Sequence, residues 1–286
     1  MWGASYLFMR HAVPYVGAVR LIEMRVVIAG LGLLAFLMAT GRSLDWRAHW
    51  RAFLFVGAFG LALPFVLIAE ALTVIDASTA SILNALSPLF ASIVAAVWIR
   101  DPLMPAKLAG IALCIAGTAV LVGWVPKPMT PRELLAASFS VLATVVYGIT
   151  IVFTKVHLKA ASPLGTAAGT LLFAALALAP IVPFTHAPVA LADVPVIAWL
   201  SVLGLALVST TVAFIFYYRL IADVGPVKAI TVTLLVPIFG MLWGVLFLGE
   251  QLTPGRIAGC AIILAGCSLI LGLVRFPNHA RAGVGE

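Results

Sequence analysis

A few hydroxyl and amide side chains interrupt long apolar runs of this sequence and could hydrogen-bond to a small molecule. They are Ser78, Ser81 and Asn84 in the first half of the chain, and Thr210, Thr231 and Thr233 in the second half. A polar group within an apolar helix usually faces a partner or a water-filled path. Each hydroxyl could instead bond to a carbonyl oxygen of its own helix. We interpret this set as candidate substrate-binding residues.

Pro88 and Pro237 follow two of these polar groups and are predicted to have a conformational role. Proline has no N–H, so it leaves the carbonyl oxygen four residues earlier without its helical partner. The carbonyl groups concerned belong to Asn84 and Thr233, and they could accept hydrogen bonds from a substrate ammonium group or from water. The alternative is that the two prolines only kink their helices.

Aromatic residues provide a second kind of candidate binding surface. The predicted substrate-binding set also includes Trp2, Tyr6, Tyr147, Tyr217 and Trp243. Such rings could stack on a flat apolar substrate or attract its ammonium group through a cation–π contact. Trp and Tyr are also common at the membrane interface, and we assign that role to Trp46, Trp50, Trp98, Trp124 and Trp199.

Charged residues are scarce within the apolar runs, and four of them need an explanation. Glu70 could take up and release a proton during transport, or it could pair with an arginine or reach the lipid headgroups. Arg25 could extend towards the headgroups or pair with a carboxylate. Asp101 and Glu250 are expected to cap the helices that follow them. We expect no basic residue in the middle of the membrane, which argues against a carrier for phosphates or nucleotide sugars.

The composition is that of an integral membrane protein. Of 286 residues, 64% are hydrophobic and 9% are charged, whereas soluble domains contain roughly half apolar and a quarter charged residues. The net charge of +7 would suggest nucleic acid as a partner in a soluble protein, but here the basic residues cluster in short loops and indicate topology. The three cysteines lie in apolar runs and are predicted to be free thiols. No cofactor, metal site or nucleophilic catalytic motif is predicted.

The apolar runs predict an all-α protein with ten transmembrane helices. Residues 1–125 form a first five-helix repeat, 126–132 a proline-rich linker, 133–274 a second five-helix repeat and 275–286 a cytoplasmic tail. The predicted helices after the first cover residues 18–39, 52–75, 77–99, 105–125, 134–155, 163–184, 196–221, 226–248 and 254–274. The first apolar run stops at Arg10, so helix 1 is expected to lack its first turns.

The two halves are related by an offset of 149 positions. Proline and glycine coincide at this offset, as in Pro88 with Pro237 and Gly110 with Gly259. Because these residues fix backbone geometry, their coincidence indicates a repeat. Five helices is an odd number, so the second copy must have inverted topology. Most Lys and Arg residues then fall on the side of both termini, which predicts that the termini are cytoplasmic.

Several of these residues also carry a resemblance to a known family. Trp2-Gly3, Pro14, Arg25, Pro88 and the turn 247–254 (FLGEQLTP), with Gly259 and Gly266, resemble the ten-helix branch of the drug/metabolite transporter superfamily, which has paired EamA-type domains. The likeness extends to its amino-acid and metabolite exporters, including the aromatic amino-acid exporter group. It implies an alternating-access carrier with a central cavity between the halves. The first copy departs from the turn motif at Arg100-Asp101-Pro102-Leu103.

The sequence therefore predicts a secondary transporter of the inner membrane that exports amino acids, preferably bulky apolar or aromatic ones. Its partners would be this substrate, the lipid bilayer and protons as a coupling ion. One alternative is a proton-coupled multidrug exporter in which Glu70 is the coupling residue. Another is an intramembrane lipid-modifying enzyme, which would need a convergent His, Asp or Ser set that the sequence does not offer.

Overall fold

A computed structural model describes residues 1–124, 128–185 and 188–273. The long helices, labelled in chain order, are α1 (Ala4–Val16), α2 (Ala18–Ala39), α3 (Trp46–Ala71), α4 (Ala77–Trp98), α5 (Pro105–Gly123), α6 (Pro131–His157), α7 (Pro163–Leu178), α8 (Val196–Val224), α9 (Ile230–Leu248) and α10 (Pro254–Ile270). Within these ranges the protein is helical and contains no β-strand. The predicted tail, the last residues of predicted helices 5 and 10 and part of the predicted linker fall on 274–286 and 125–127, outside the described residues.

Seven of the described helices are long and apolar enough to cross a membrane: α2, α3, α4, α5, α6, α8 and α9. Crossing about 30 Å of hydrocarbon requires roughly 20 helical residues. Helices α7 and α10 are apolar but shorter, with 16 and 17 residues. The chain therefore has the character of a multi-pass membrane protein.

Several helix boundaries differ from the sequence prediction, two of them by six residues. Helix α3 begins at Trp46 rather than Ala52, so the basic segment before the apolar run is helical. Long arginine side chains such as Arg47 and Arg51 can keep their charge in water while their aliphatic stems cover apolar surface, so the helix need not stop there. Helix α7 ends at Leu178 rather than Phe184, because Pro180 follows and has no N–H to donate to the next helical hydrogen bond.

Helices α3 and α8 each contain a wider π-helical segment, Val56–Ala62 and Gly204–Val212 respectively. The two segments lie at corresponding positions when the sequence is shifted by 149. Helix α2 packs on the segment of α8, and α7 packs on the segment of α3. The second contact is very close, since a Cβ on Gly57 would lie 2.6 Å from the Thr170 carbonyl oxygen and 2.7 Å from the Ala174 nitrogen. Both segments thus form contacts between the first and second halves of the chain.

Helix α4 is not continuous. Its two stretches, Ala77–Asn84 and Ser87–Trp98, are separated by a turn at residues 85–86, just before Pro88. The corresponding part of α9 begins with a 3-10 segment, Ile230–Leu234, just before Pro237. Each proline removes a helical hydrogen bond, so the irregular backbone at both places follows from the sequence.

Helices α5 and α10 form the most extensive helix pair of the bundle. Glycines allow the two backbones to approach, because a Cβ on Gly110 would lie 2.6 Å from the Gly266 carbonyl oxygen. The three cysteines are free and buried, as predicted. The Cys114 and Cys267 sulfur atoms are 3.7 Å apart in this interface.

The helices α4 and α9 both end in a residue with left-handed backbone conformation. Gly249 has φ 65° after α9, and Arg100 has φ 55° after α4. Glycine adopts this conformation without steric cost, whereas arginine does not. The position is therefore strained in the first half and relaxed in the second.

Candidate functional site

A buried arginine occupies the centre of the bundle. Arg25 of α2 has only 4% of its surface exposed, and its Nε–H donates a 3.0 Å hydrogen bond to the Thr210 hydroxyl. Thr210 lies in the π-helical segment at the midpoint of the 29-residue α8 and donates in turn to the Leu205 carbonyl oxygen at 2.7 Å. The expectation that no basic residue lies deep in the bundle is therefore wrong. Arg25 points inward because the widened turn of α8 presents a hydroxyl acceptor to it.

Aromatic rings surround this guanidinium group. Its central carbon lies 3.8 Å from the centroid of the Phe65 ring, a cation–π contact from α3. The Phe65 ring meets Tyr147 of α6 edge-on at a centroid distance of 6.5 Å. Tyr6 of α1 is 4% exposed, and Tyr6 and Tyr147 both interact electrostatically with Arg25. Three helices thus place one aromatic ring each near the buried cation of α2.

Asn84 adds an acceptor to the same region. It ends the first stretch of α4, beside the Tyr6 side chain, and its Oδ1 atom is buried without a hydrogen-bond partner among the described residues. Its backbone carbonyl oxygen, expected to be free, instead accepts a 2.7 Å hydrogen bond from the Ser87 hydroxyl. The amide side chain rather than the backbone is therefore the group that could bind a ligand.

This arrangement can bind a molecule that has both an anionic group and an apolar body. A guanidinium group has five N–H donors in a planar fork that matches a carboxylate. Thr210 uses one of them, and the terminal nitrogens of Arg25 have no hydrogen-bond partner in residues 1–124, 128–185 and 188–273. A buried charge without a counter-charge is costly, so an incoming carboxylate would offset that cost.

Two further predicted residues meet on the α1 side of α8. The rings of Trp2 and Tyr217 are 5.0 Å apart between centroids, and Trp2 also contacts Phe214 edge-on at 5.9 Å. Trp2 and Tyr217 line a pocket of about 200 Å³ between α1, α8 and α9, whose other walls are largely apolar. The structure therefore brings these two residues together in a second aromatic cluster.

The remaining predicted hydroxyl residues form no hydrogen bond with Arg25. Ser78 and Ser81 are fully buried where α4 crosses α9. Thr231 and Thr233 donate 2.7 Å hydrogen bonds to carbonyl oxygens of their own helical turn, which is the alternative considered above. Trp243 stacks in a row with Phe239 and Phe247 along α9, and its buried Nε1 has no partner within the described part of the chain.

Glu70 lies at the end of α3, far from a buried environment. It is exposed and lines an open pocket of about 720 Å³ together with Arg10, Arg20 and Thr185. Arg20 is tied to the Thr185 carbonyl oxygen at 2.7 Å, and Arg10 donates to the Leu72 carbonyl oxygen. A coupling role for Glu70 stays a prediction.

Sequence reasoning missed three features of this region. Phe65 was one of many apolar residues in its helix, and nothing singled it out. Glu23 of α2 is not among the predicted residues, yet its Oε2 atom is buried without a partner among the described residues. Arg25 carried the signal that could have been used, namely an arginine inside an apolar run.

Comparisons with known proteins agree with a transport function. The model of a family described as the EamA-like transporter family matches residues 1–123 and 134–272. An uncharacterized transporter of Archaeoglobus fulgidus is 22% identical over 94% of both chains. A probable terminal-alkyne amino-acid exporter of Streptantibioticus cattleyicolor is 28% identical over 75% of this chain and 70% of its own length. One crystal structure aligns with a TM-score of 0.66 at 22% identity, covering 94% of this chain and 91% of that one.

Proposed function

This chain belongs to the EamA-like transporter family, and from that premise we propose that it exports amino acids with bulky apolar or aromatic side chains. The observation that carries the proposal is the buried Arg25 guanidinium, held by Thr210 and enclosed by aromatic rings. The guanidinium group binds the substrate carboxylate in a bidentate manner. The rings of Tyr6, Phe65 and Tyr147 pack on the substrate side chain.

The ammonium group of the substrate has a matching acceptor. The Asn84 Oδ1 atom is buried and unpartnered in the described structure, and an ammonium group is a donor of three hydrogen bonds. The Arg25 N–H groups would bind a carboxylate and the Asn84 Oδ1 atom would bind an ammonium group. Together they select for a zwitterion. The S. cattleyicolor relative is named a probable terminal-alkyne amino-acid exporter, which supports this substrate class.

The proposed mechanism is alternating access by an inverted repeat of ten transmembrane helices. The pairs of π segments, helix breaks and left-handed residues, each about 149 positions apart, support two equivalent halves. Rocking of the halves would expose the Arg25 region to each side in turn. The Lys and Arg distribution supports cytoplasmic termini, and the proposed location is the inner membrane.

A proton-coupled multidrug exporter is the second candidate. The aromatic pocket at Trp2 and Tyr217 favours it, because rings and aliphatic side chains suit a lipophilic cation better than a zwitterion. Glu70 would be its coupling carboxylate. The family and its named relatives indicate a transporter rather than an enzyme.

Counterflow in proteoliposomes tests the proposal through the substrate carboxylate. We expect saturable uptake of radiolabelled phenylalanine and leucine, and no uptake of phenylalaninamide, which keeps the ring and ammonium group but lacks the carboxylate. Arg25→Gln should abolish the distinction by lowering phenylalanine uptake to the level of the amide. Arg20→Gln is the matched control on the same helix, since Arg20 binds a loop carbonyl oxygen.

Equal transport of phenylalanine and its amide by the native protein would refute carboxylate recognition by Arg25. Gradient-driven dye efflux without any amino-acid flux would favour the multidrug exporter instead. Running the assay with and without a proton gradient shows whether protons are coupled to transport.

A further inference from the structure

The turn after α9 reaches across to the beginning of α4. The Glu250 carboxylate accepts hydrogen bonds from the backbone N–H groups of Ala77 at 2.7 Å and Ser78 at 2.9 Å, and from the Ser78 hydroxyl. The expectation that Glu250 caps α10 is wrong, because Thr253 caps that helix through a 3.3 Å bond from the Arg256 N–H. Glu250 therefore caps a helix that precedes it by more than 170 residues.

An ion pair reinforces this contact. Arg256, near the start of α10, pairs with Asp76, the residue just before α4, and its side chain is 16% exposed. Glu250 and Arg256 belong to the second stretch matched by the family model, whereas Asp76 to Ser78 belong to the first. We call these five residues the clasp: Asp76, Ala77, Ser78, Glu250 and Arg256. The clasp ties the two halves together at one end of α4.

No equivalent clasp can form at the other end of the bundle. The residues 149 positions before Glu250 and Arg256 are Asp101 and Lys107, and these pair with each other at 3.0 Å. In the second half, the residues that correspond to Asp76, Ala77 and Ser78 lie 149 positions later. They are Gly225, Pro226 and Val227. Glycine has no carboxylate, proline has no N–H to donate and valine has no hydroxyl. The two ends of the bundle are therefore closed by unlike contacts.

The helices under the clasp are packed without spare room. Gly244 of α9 faces the clasp directly, since a Cβ there would lie 2.5 Å from Glu250 Oε2 and 2.8 Å from the Ser78 hydroxyl oxygen. One turn earlier, Gly240 meets Ser81 of α4 in the same way. An opening movement between α4 and α9 at this end must therefore break the Glu250 hydrogen bonds.

We propose that Glu250 is a gate residue, and that the clasp holds the bundle closed on the side of the membrane where it lies. This inference rests on the alternating access of the proposed function, and in the proposed orientation that side is the outer one. The Arg25 region becomes accessible from that side only after Glu250 leaves the α4 N-terminus. Among the described residues the opposite end has no bridge of this kind, so it opens without breaking one.

Spin-label distances in nanodiscs test the gate without any substrate. One label pair, Thr73→Cys with Gln251→Cys, reports on the clasp end, and a second, Thr40→Cys with Lys228→Cys, reports on the opposite end. All four positions are exposed, and the natural cysteines are replaced by alanine. Glu250→Gln should raise the population of the longer clasp-end distance about tenfold or more, the effect of losing charge-assisted hydrogen bonds.

Asp101→Asn is the matched control, because it removes the corresponding carboxylate of the first half. That carboxylate pairs only with Lys107, which belongs to the same half. This variant should leave the clasp-end distances unchanged. Gly244→Ala is the second test variant, because its methyl group displaces the Glu250 carboxylate without changing the charge. Its distances test the proposal if Glu250→Gln fails to fold. Unchanged distances in Gly244→Ala and Glu250→Gln, or an equal shift in Asp101→Asn, would overturn the proposal. Because the readout needs no transport, a shift in the expected direction supports the gate even if no amino-acid flux is found.

Discussion

Replacing Thr210 by valine should weaken substrate binding by one to two orders of magnitude. Valine keeps the shape of threonine but removes the hydroxyl oxygen that accepts from Arg25 Nε at 3.0 Å. A buried hydrogen bond to a charged group contributes about 1.5–3 kcal/mol, and its loss leaves a buried N–H without a partner. The hydrogen bond stabilises the orientation in which the guanidinium group binds substrate. Losing this energy raises KM roughly tenfold to a hundredfold.

Thr211→Val is the matched control one residue along the same π-helical segment. Its hydroxyl donates only to backbone carbonyl oxygens, of Ala206 at 3.1 Å and of Ala29 at 3.4 Å, so it does not touch Arg25. Both variants lose a buried hydroxyl and should lose similar thermal stability. The concentration dependence of phenylalanine counterflow should separate them, with KM raised in Thr210→Val alone.

Thr210→Ser completes the design because it restores the acceptor without the methyl group. We expect its KM to be close to that of the native protein. The positioning role would be refuted by an equal KM change in Thr210→Val and Thr211→Val. It would also be refuted if serine failed to restore the native value while the protein remained folded.

Two further predictions concern stability and can be measured by thermal unfolding in detergent. Gly110→Ala should destabilise the bundle by a few kcal/mol, because its methyl group would lie 2.6 Å from the Gly266 carbonyl oxygen, whereas Gly123→Ala, with no atom within 4 Å, should be tolerated. A similar melting temperature for both would show that the glycine contact is not tight. Arg100→Gly should raise stability by about 0.5–1 kcal/mol by relieving the left-handed backbone, and Gly249→Ala should lower it by about 1–2 kcal/mol. An unchanged melting temperature in both would contradict the strain argument.

Much of the fold was predictable because it follows from local patterns. Apolar runs of sufficient length predict membrane helices, and the recurrence of proline and glycine predicts the paired domains that the family match bears out. Proline positions also predict the breaks in α4 and α9. The π-helical segments were not predicted. The segment of α8 packs on α2 and the segment of α3 packs on α7, and these partners are distant in sequence.

The candidate site was predictable in its residue types but not in its geometry. Tyr6, Tyr147, Asn84 and Thr210 are predictable because they interrupt or line apolar helices, and the structure places them around Arg25. Arg25 was misjudged because the direction of a long side chain depends on acceptors supplied by another helix. The same holds for Glu250, whose partners are set by tertiary packing alone.

The two π-helical contacts have unlike chemistry, and this has a consequence for stoichiometry. On α8 the partner from α2 is Arg25, but on α3 the corresponding residue of α7 is Ala174, packed against Gly57. A twofold-related bundle would otherwise offer two symmetry-related sites for a small molecule. Since only one of them has a cation, we expect one substrate molecule per chain, always bound with its carboxylate towards α2 and α8. Under the proposed alternating access, we expect the close-packed glycine contact on α3 to stay fixed while the halves move.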